Sequence, residues 1–260
     1  MINDRIHKLL EENKGKLLNA DKSGQISKNG ICYDGIVNEE LFAETGRVMF
    51  LLKETNGNDS TGQTQECSDW EYRGWLEYQQ HKNIEKPNYG ECKFYRTFYN
   101  LSMWVDIFTS AKNENSYQEY LHSGGMEENN LRYNLGKAAI VNMKKTWGGG
   151  TTDWKNLNDY IQCETVKEVL KKQIEYIAPK LVVCGSSEVY HLAKKIWDIA
   201  YEEKIMAMGK ETHFFEYAGI VFLEFYHPSC RKKREFLYDY CKTVKEEINI
   251  KASITKNRMA

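Results

Sequence analysis

"ETVKEVLKKQIEYIAPKLVVCGSS", residues 164–187, changes its hydrophobic period part-way along, and that change decides the fold. Val166, Val169, Leu170, Ile174 and Ile177 recur at steps of three and four, which puts them on one stripe of an amphipathic helix. Pro179 closes the helix, because a proline disfavours helical geometry at the residue before it. The run that follows, "KLVVC", is apolar without alternation, as in a strand buried on both faces of a parallel sheet, and Gly185 and Ser186 end it. A helix feeding such a strand is the second half of a β-α-β crossover.

The same alternation continues in both directions. Upstream, "KAAIVNMKKTWGGG" (137–150) is an apolar strand that acquires Asn142 at its end and opens into three glycines, and "GRVMFLLKETNG" (46–57) is an earlier core strand. "FYRTFYNLSMWVDIF" (94–108) sets Phe94, Phe98, Leu101, Trp104, Val105 and Phe108 on one helical stripe. Downstream, "SEVYHLAKKIWDIA" predicts a helix, "AGIVFLEFYHPS" a further strand, and "REFLYDYCKTVKEEI" a last helix with Phe236, Leu237, Tyr240 and Val244 inward. Residues 2–19 read as an amphipathic helix with a break near Gly15. Residues 58–90 and 111–134 are polar and lack a steady period, so they read as insertions. The expectation is one α/β domain over residues 1–260. It is a three-layer α/β/α sandwich with a central, mainly parallel four-stranded sheet and a helix at about 1–20.

Of the 260 residues, 41% are apolar, enough for a substantial core. The 36 basic and 37 acidic side chains nearly cancel, so a polyanion would have to be held by a local cluster rather than by the field of the whole molecule. No apolar run reaches the length of a membrane span, and the first residues lack the apolar core of a signal peptide; the expected location is the cytoplasm, with no membrane partner. The seven cysteines (32, 67, 92, 163, 184, 230 and 241) form no Cys-x-x-Cys pair. Free thiols, no metal and no cofactor are expected.

In open parallel sheets ligands bind beyond the carboxyl ends of the strands, where loops and helix N-termini converge. The first strand ends at Lys53-Glu54-Thr55-Asn56-Gly57, the next at Asn142 and Gly148–Gly150, the third at Gly185-Ser186-Ser187 and the last at His227-Pro228-Ser229. The chemistry-bearing residues therefore share one rim. The last of these turns runs straight into Arg231, Lys232, Lys233 and Arg234.

These blocks resemble a known family. "LLKETNG", "IVNMKK", "LKKQIEYIAPKLVVCGSS" and "YHPS" are similar, in order and spacing, to the uracil-DNA glycosylase superfamily, and closest to its branches with a Gly-Glu-x-Pro-Gly first motif. The likeness runs by scattered blocks from Arg47 to Lys242. It implies an enzyme that flips a damaged base out of DNA and hydrolyses its bond to the sugar. By that resemblance Asn142 would read the pyrimidine edge, its amide supplying one donor and one acceptor. His227 would donate to the O2 of the departing base, where negative charge develops. Glu54 or Asn56 would handle the attacking water. Ser229, with Gly185 and Ser186 on the neighbouring turn, would hold phosphate, and Arg231, Lys232, Lys233 and Arg234 would neutralise the flanking backbone. Cys230 or Arg231 takes the place of the family's wedge residue. Lys53, Thr55 and Asn56 depart from the Gly, small residue and Pro of the family's first motif, and Thr146 stands where one branch carries an iron–sulfur cysteine.

Each of these residues also has a plainer reading: Asn142 as a turn cap, His227 as a histidine bonded to a carbonyl, Glu54 as a solvated partner of Lys53, and the basic run as a solvated face. Trp70, Tyr89, Trp147 and Tyr226 are candidates for stacking on a base, with packing as the alternative for each. At the level of function the alternative is a glycosylase-like fold that binds a nucleotide or nucleic acid without cutting it. A hydrolase using Cys184 or Ser186 with His191 is weaker, since no Gly-x-Ser-x-Gly elbow is present.

Overall fold

A computed structural model describes residues 1–22, 31–53, 93–110, 116–146 and 152–259. In chain order the described elements are α1 (Ile2–Ala20), β1 (Gly35–Ile36), α2 (Glu39–Glu44), β2 (Val48–Leu52), α3 (Lys93–Thr109), α4 (Tyr117–His122), α5 (Glu128–Gly136), β3 (Ala138–Asn142), α6 (Trp154–Gln162), α7 (Glu164–Ile177), β4 (Leu181–Cys184), α8 (Ser187–Ile196), β5 (Glu203–Ala207), β6 (Lys210–Tyr217), β7 (Ile220–Glu224) and α9 (Arg234–Met259).

The uniform apolar runs become β2, β3, β4 and β7, which pair in parallel in the order β3-β2-β4-β7. They are the middle of a wider sheet. Among the described residues it has seven strands in the order β1-β3-β2-β4-β7-β6-β5, which corrects the expected count of four. The added strands all pair antiparallel, β1 with β3, β6 with β7 and β5 with β6. Their hairpins turn on Met208-Gly209 (φ 49° and 75°) and Ala218-Gly219 (φ 51° and 78°). Positive φ at both central residues gives the twist that matches two antiparallel strands. A methionine and an alanine there carry none of the Asn-Gly or Asp-Gly signal by which such a turn is recognised in sequence.

Two apolar cores lie on the two faces of the sheet. Met49, Leu51, Val141, Val182 and Phe222 pack with α1, α6, α7 and α8 through residues such as Leu10, Leu157, Leu170 and Leu192. Phe50, Leu52, Ile140, Val183 and Leu223 pack with α3, α5 and α9 through Trp104, Leu131 and Leu237. The alternation along each strand thus divides its side chains between two helical layers.

Two further expectations are corrected. α1 runs unbroken through Gly15, where an added Cβ would meet nothing within 4 Å, so the glycine sits on an open face and is tolerated at a cost in propensity. Residues 117–136 are largely helical rather than a polar insertion. Ser116 and Glu119 form a reciprocal capping box that starts α4, a signal legible in "SYQE". Pro179 does end α7, which closes on a left-handed Ala178 (φ 49°). Among the described residues, no helix is long and apolar enough to cross a membrane.

Candidate functional site at the carboxyl rim of the sheet

The ends of the parallel strands are tied to one another by backbone hydrogen bonds beyond the strands themselves. Met143 N–H donates to Leu52 O (2.8 Å), Lys144 N–H to Lys53 O (2.9 Å), Gly185 N–H to Leu51 O (2.9 Å) and Phe225 N–H to Cys184 O (3.1 Å). Asn142 pairs in register with Leu52 as the last residue of β3. Alternation continues from Ala138 and Ile140, so its side chain lies on the α3 side of the sheet. The residue is only 5% exposed. Its backbone N–H donates to Asp34 Oδ2 at 2.6 Å, while no described residue hydrogen-bonds its carboxamide. Neither carboxamide atom is among the fully buried polar atoms that lack a partner, so the amide opens onto the rim rather than being sealed inside.

The His-Pro-Ser turn follows β7. Two donors of Ser229 converge on His227 Nδ1, the backbone N–H at 3.1 Å and the hydroxyl Oγ at 2.8 Å. A backbone N–H can only donate, so Nδ1 is unprotonated and the neutral ring carries its hydrogen on Nε2. The turn is closed by Cys230 N–H donating to His227 O (2.9 Å). α3 holds it from the side: Asn100 Nδ2 donates to Pro228 O (2.7 Å, buried) and Arg96 Nη1 to Ser229 O (3.2 Å). Gly185 closes the gap to the neighbouring strand. A Cβ there would lie 2.6 Å from Leu52 Cδ2 and 3.4 Å from Pro228 Cδ, so the absence of a side chain lets the end of β4 and the turn come together.

β3 and β7 are separated by β2 and β4, and at about 4.8 Å per step their ends lie about 14 Å apart. Asn142 and His227 therefore face a common rim from its two sides rather than touching.

Beneath Asn142 lies a buried polar network. Lys145, fully buried, donates from Nζ to Asp34 Oδ1 (2.7 Å) and Oδ2 (3.0 Å), and Gln173 Nε2 donates to Asp34 Oδ1 (2.7 Å). Burial pushes the Lys145 ammonium down from its ordinary value, and the Asp34 carboxylate opposes that shift. A second pair sits beside it, Lys144 Nζ with Asp21 Oδ2 at 3.2 Å, where Thr146 Oγ1 also donates to the same oxygen (2.6 Å). The carboxylate of Asp34 thus fixes the backbone of Asn142 while its own charge is met by Lys145.

The remaining sequence-selected residues divide as follows. Glu54, Asn56, Trp70, Tyr89, Trp147 and Gly148–Gly150 lie outside the described residues. Ser186 caps α8, its Oγ accepting from Val189 N–H at 3.2 Å, and so has a structural task. Ser229 directs both its donors at His227 and serves to orient the ring. Arg231, Lys232 and Lys233 are exposed just before α9, whereas Arg234 opens that helix with its guanidinium 4.7 Å above the Tyr99 ring. Burial raises the Cys230 thiol above its ordinary value. Tyr226 packs against Tyr240, centroids 5.0 Å apart, under the Lys210 ammonium. Cys184 is fully buried with its thiol pushed far up by desolvation, and His191 is on the exposed side of α8, so the Cys/His hydrolase reading is not supported. Asp34, Lys145, Arg96 and Asn100 were not selected from sequence. Arg96 and Asn100, four apart on α3, lie on the flank beside the aromatic stripe rather than on it, and both bond the turn after β7.

Among the described residues no group of three or more His, Cys, Asp or Glu side chains could hold a metal ion. Compared with protein families and with curated proteins, the chain finds no match.

Proposed function

We propose that the chain is a DNA N-glycosylase that removes uracil or a related damaged base from DNA, with the flipped base held at the rim between Asn142 and His227. The observation that carries this reading is an amide that no described residue hydrogen-bonds, at one strand end, on the same rim as an imidazole of fixed tautomer at another. The Asn142 carboxamide offers a donor and an acceptor, matching the imide N–H and an adjacent carbonyl of uracil. In this tautomer the His227 ring carries its hydrogen on Nε2. As the C1′–N1 bond breaks, its electron pair passes into the base and charge accumulates on O2, where that N–H donates. Water then adds to C1′ and loses a proton, a step that Glu54 or Asn56 would serve. Arg231, Lys232 and Lys233 supply a local cationic patch for the flanking phosphates, consistent with a chain of almost no net charge.

The test is incubation with single- and double-stranded oligonucleotides carrying uracil, hypoxanthine or a mismatched thymine, followed by alkali to reveal abasic sites. Cleavage at one of these bases is expected. Asn142→Ala is expected to lower it by about tenfold to a hundredfold through loss of the two amide contacts, with far-UV circular dichroism unchanged. Tight binding with no abasic product on any substrate would instead favour a module that binds nucleic acid without cutting it.

A further inference from the structure

At the opposite end of the sheet, where α5 leads directly into β3, a cavity of about 310 Å³ opens between α3, α4, α5 and α9. That is the low end of the range for small-molecule sites. Its lining is more polar than apolar and includes Asp106, Lys137, Tyr133, Asn130 and Asn134. Asp106 has only a 3.5 Å contact from Ser110 Oγ, and no cation among the described residues forms an ion pair with it. The nearby Lys245 ammonium is already committed to two carbonyls, Ile107 O (2.7 Å) and Ser110 O (2.5 Å). Lys137 donates to Asn134 Oδ1 (2.8 Å) and lies 4.3 Å above the half-exposed Tyr133 ring, likewise without a carboxylate. One cavity therefore holds an acid and a base, each partly desolvated and neither neutralised by the other at contact distance.

The geometry points to a binding site for a small zwitterion of the α-amino-acid class, its ammonium met by Asp106 and its carboxylate by Lys137. Such a ligand meets both charges at once, which a ligand of single charge does not. Burial shifts each group toward its neutral form, Asp106 up and Lys137 down, in the ligand-free protein. Because the folded value of Asp106 is raised, the stability it contributes is present below the ordinary aspartate range and is lost as pH rises through the raised value. At neutral pH Asp106→Asn is therefore expected to leave the empty protein as stable as the parent or more so, as befits a residue kept for a ligand rather than for folding.

The experiment is calorimetric titration of the full chain at neutral pH with individual L-α-amino acids at millimolar concentration. It is followed by the amide and the N-acetyl derivative of the tightest binder, which remove one charge each. At least one amino acid is expected to bind. Both derivatives, and both Asp106→Asn and Lys137→Met, are expected to weaken binding about tenfold or more, with cooperative unfolding retained. Absence of binding by every amino acid, binding of either derivative as tightly as the parent compound, or undiminished binding by the two variants overturns the proposal. The Lys137→Met arm keeps it testable if Asp106→Asn fails to fold.

Discussion

Replacing His227 by alanine is expected to slow release of the base by about a hundredfold to a thousandfold, with little change in substrate binding. The ring meets charge that exists only as the glycosidic bond breaks, so its loss is felt in the transition state rather than in the bound ground state. The scaffold should survive the change, since the turn is held through backbone atoms by Asn100, Arg96 and Cys230. Ser229→Ala makes an informative control. It removes the hydroxyl but leaves the Ser229 N–H on His227 Nδ1, so the tautomer persists and the loss should stay within about tenfold. Single-turnover assays on a uracil-containing oligonucleotide separate the two outcomes. An equal loss in both variants would mean that the hydroxyl, not the imidazole, carries the effect.

Lys145→Met is expected to cost about 3–5 kcal/mol of stability, read as a fall in the urea midpoint at unchanged slope. The ammonium is fully buried against Asp34, and its removal leaves a nearly buried carboxylate without its cation. Asp34 also accepts from Asn142 N–H and Gln173, so the remaining charge keeps some partners. Replacing both members by apolar residues of similar volume should recover part of the loss, because no lone charge then remains. A loss below about 1 kcal/mol in the single variant would show that the pair contributes little to holding β3 in place.

How far the sequence could be read follows from what each feature demands of it. Strands β2, β3, β4 and β7 are covered on both faces, so burial writes an uninterrupted apolar run into each, and the helical stripe of α7 is equally constrained. β5 and β6 form one margin of the sheet, where Glu203, Lys204, Lys210 and Glu211 face water and the run is diluted. The candidate site was legible where it coincides with strand ends, at Asn142 and at the His-Pro-Ser turn. Its supports were not. Lys145 and Gln173 lie 111 and 139 positions from Asp34, and Asn100 is 128 positions from Pro228, separations at which no local pattern links two residues. The resemblance gives Ser229 a phosphate to hold, and its bond to Nδ1 only two residues back becomes evident once the turn is closed.

The most direct measurement of whether Asn142 and His227 serve one base is a nuclear magnetic resonance titration of the ¹⁵N-labelled chain with free uracil. The Asn142 side-chain amide and the His227 ring nitrogens are the reporters. Both are expected to shift along a single saturation curve, with His227 Nδ1 remaining the unprotonated nitrogen throughout. Saturating uracil with one reporter unmoved, or with the two following different curves, would contradict a shared site.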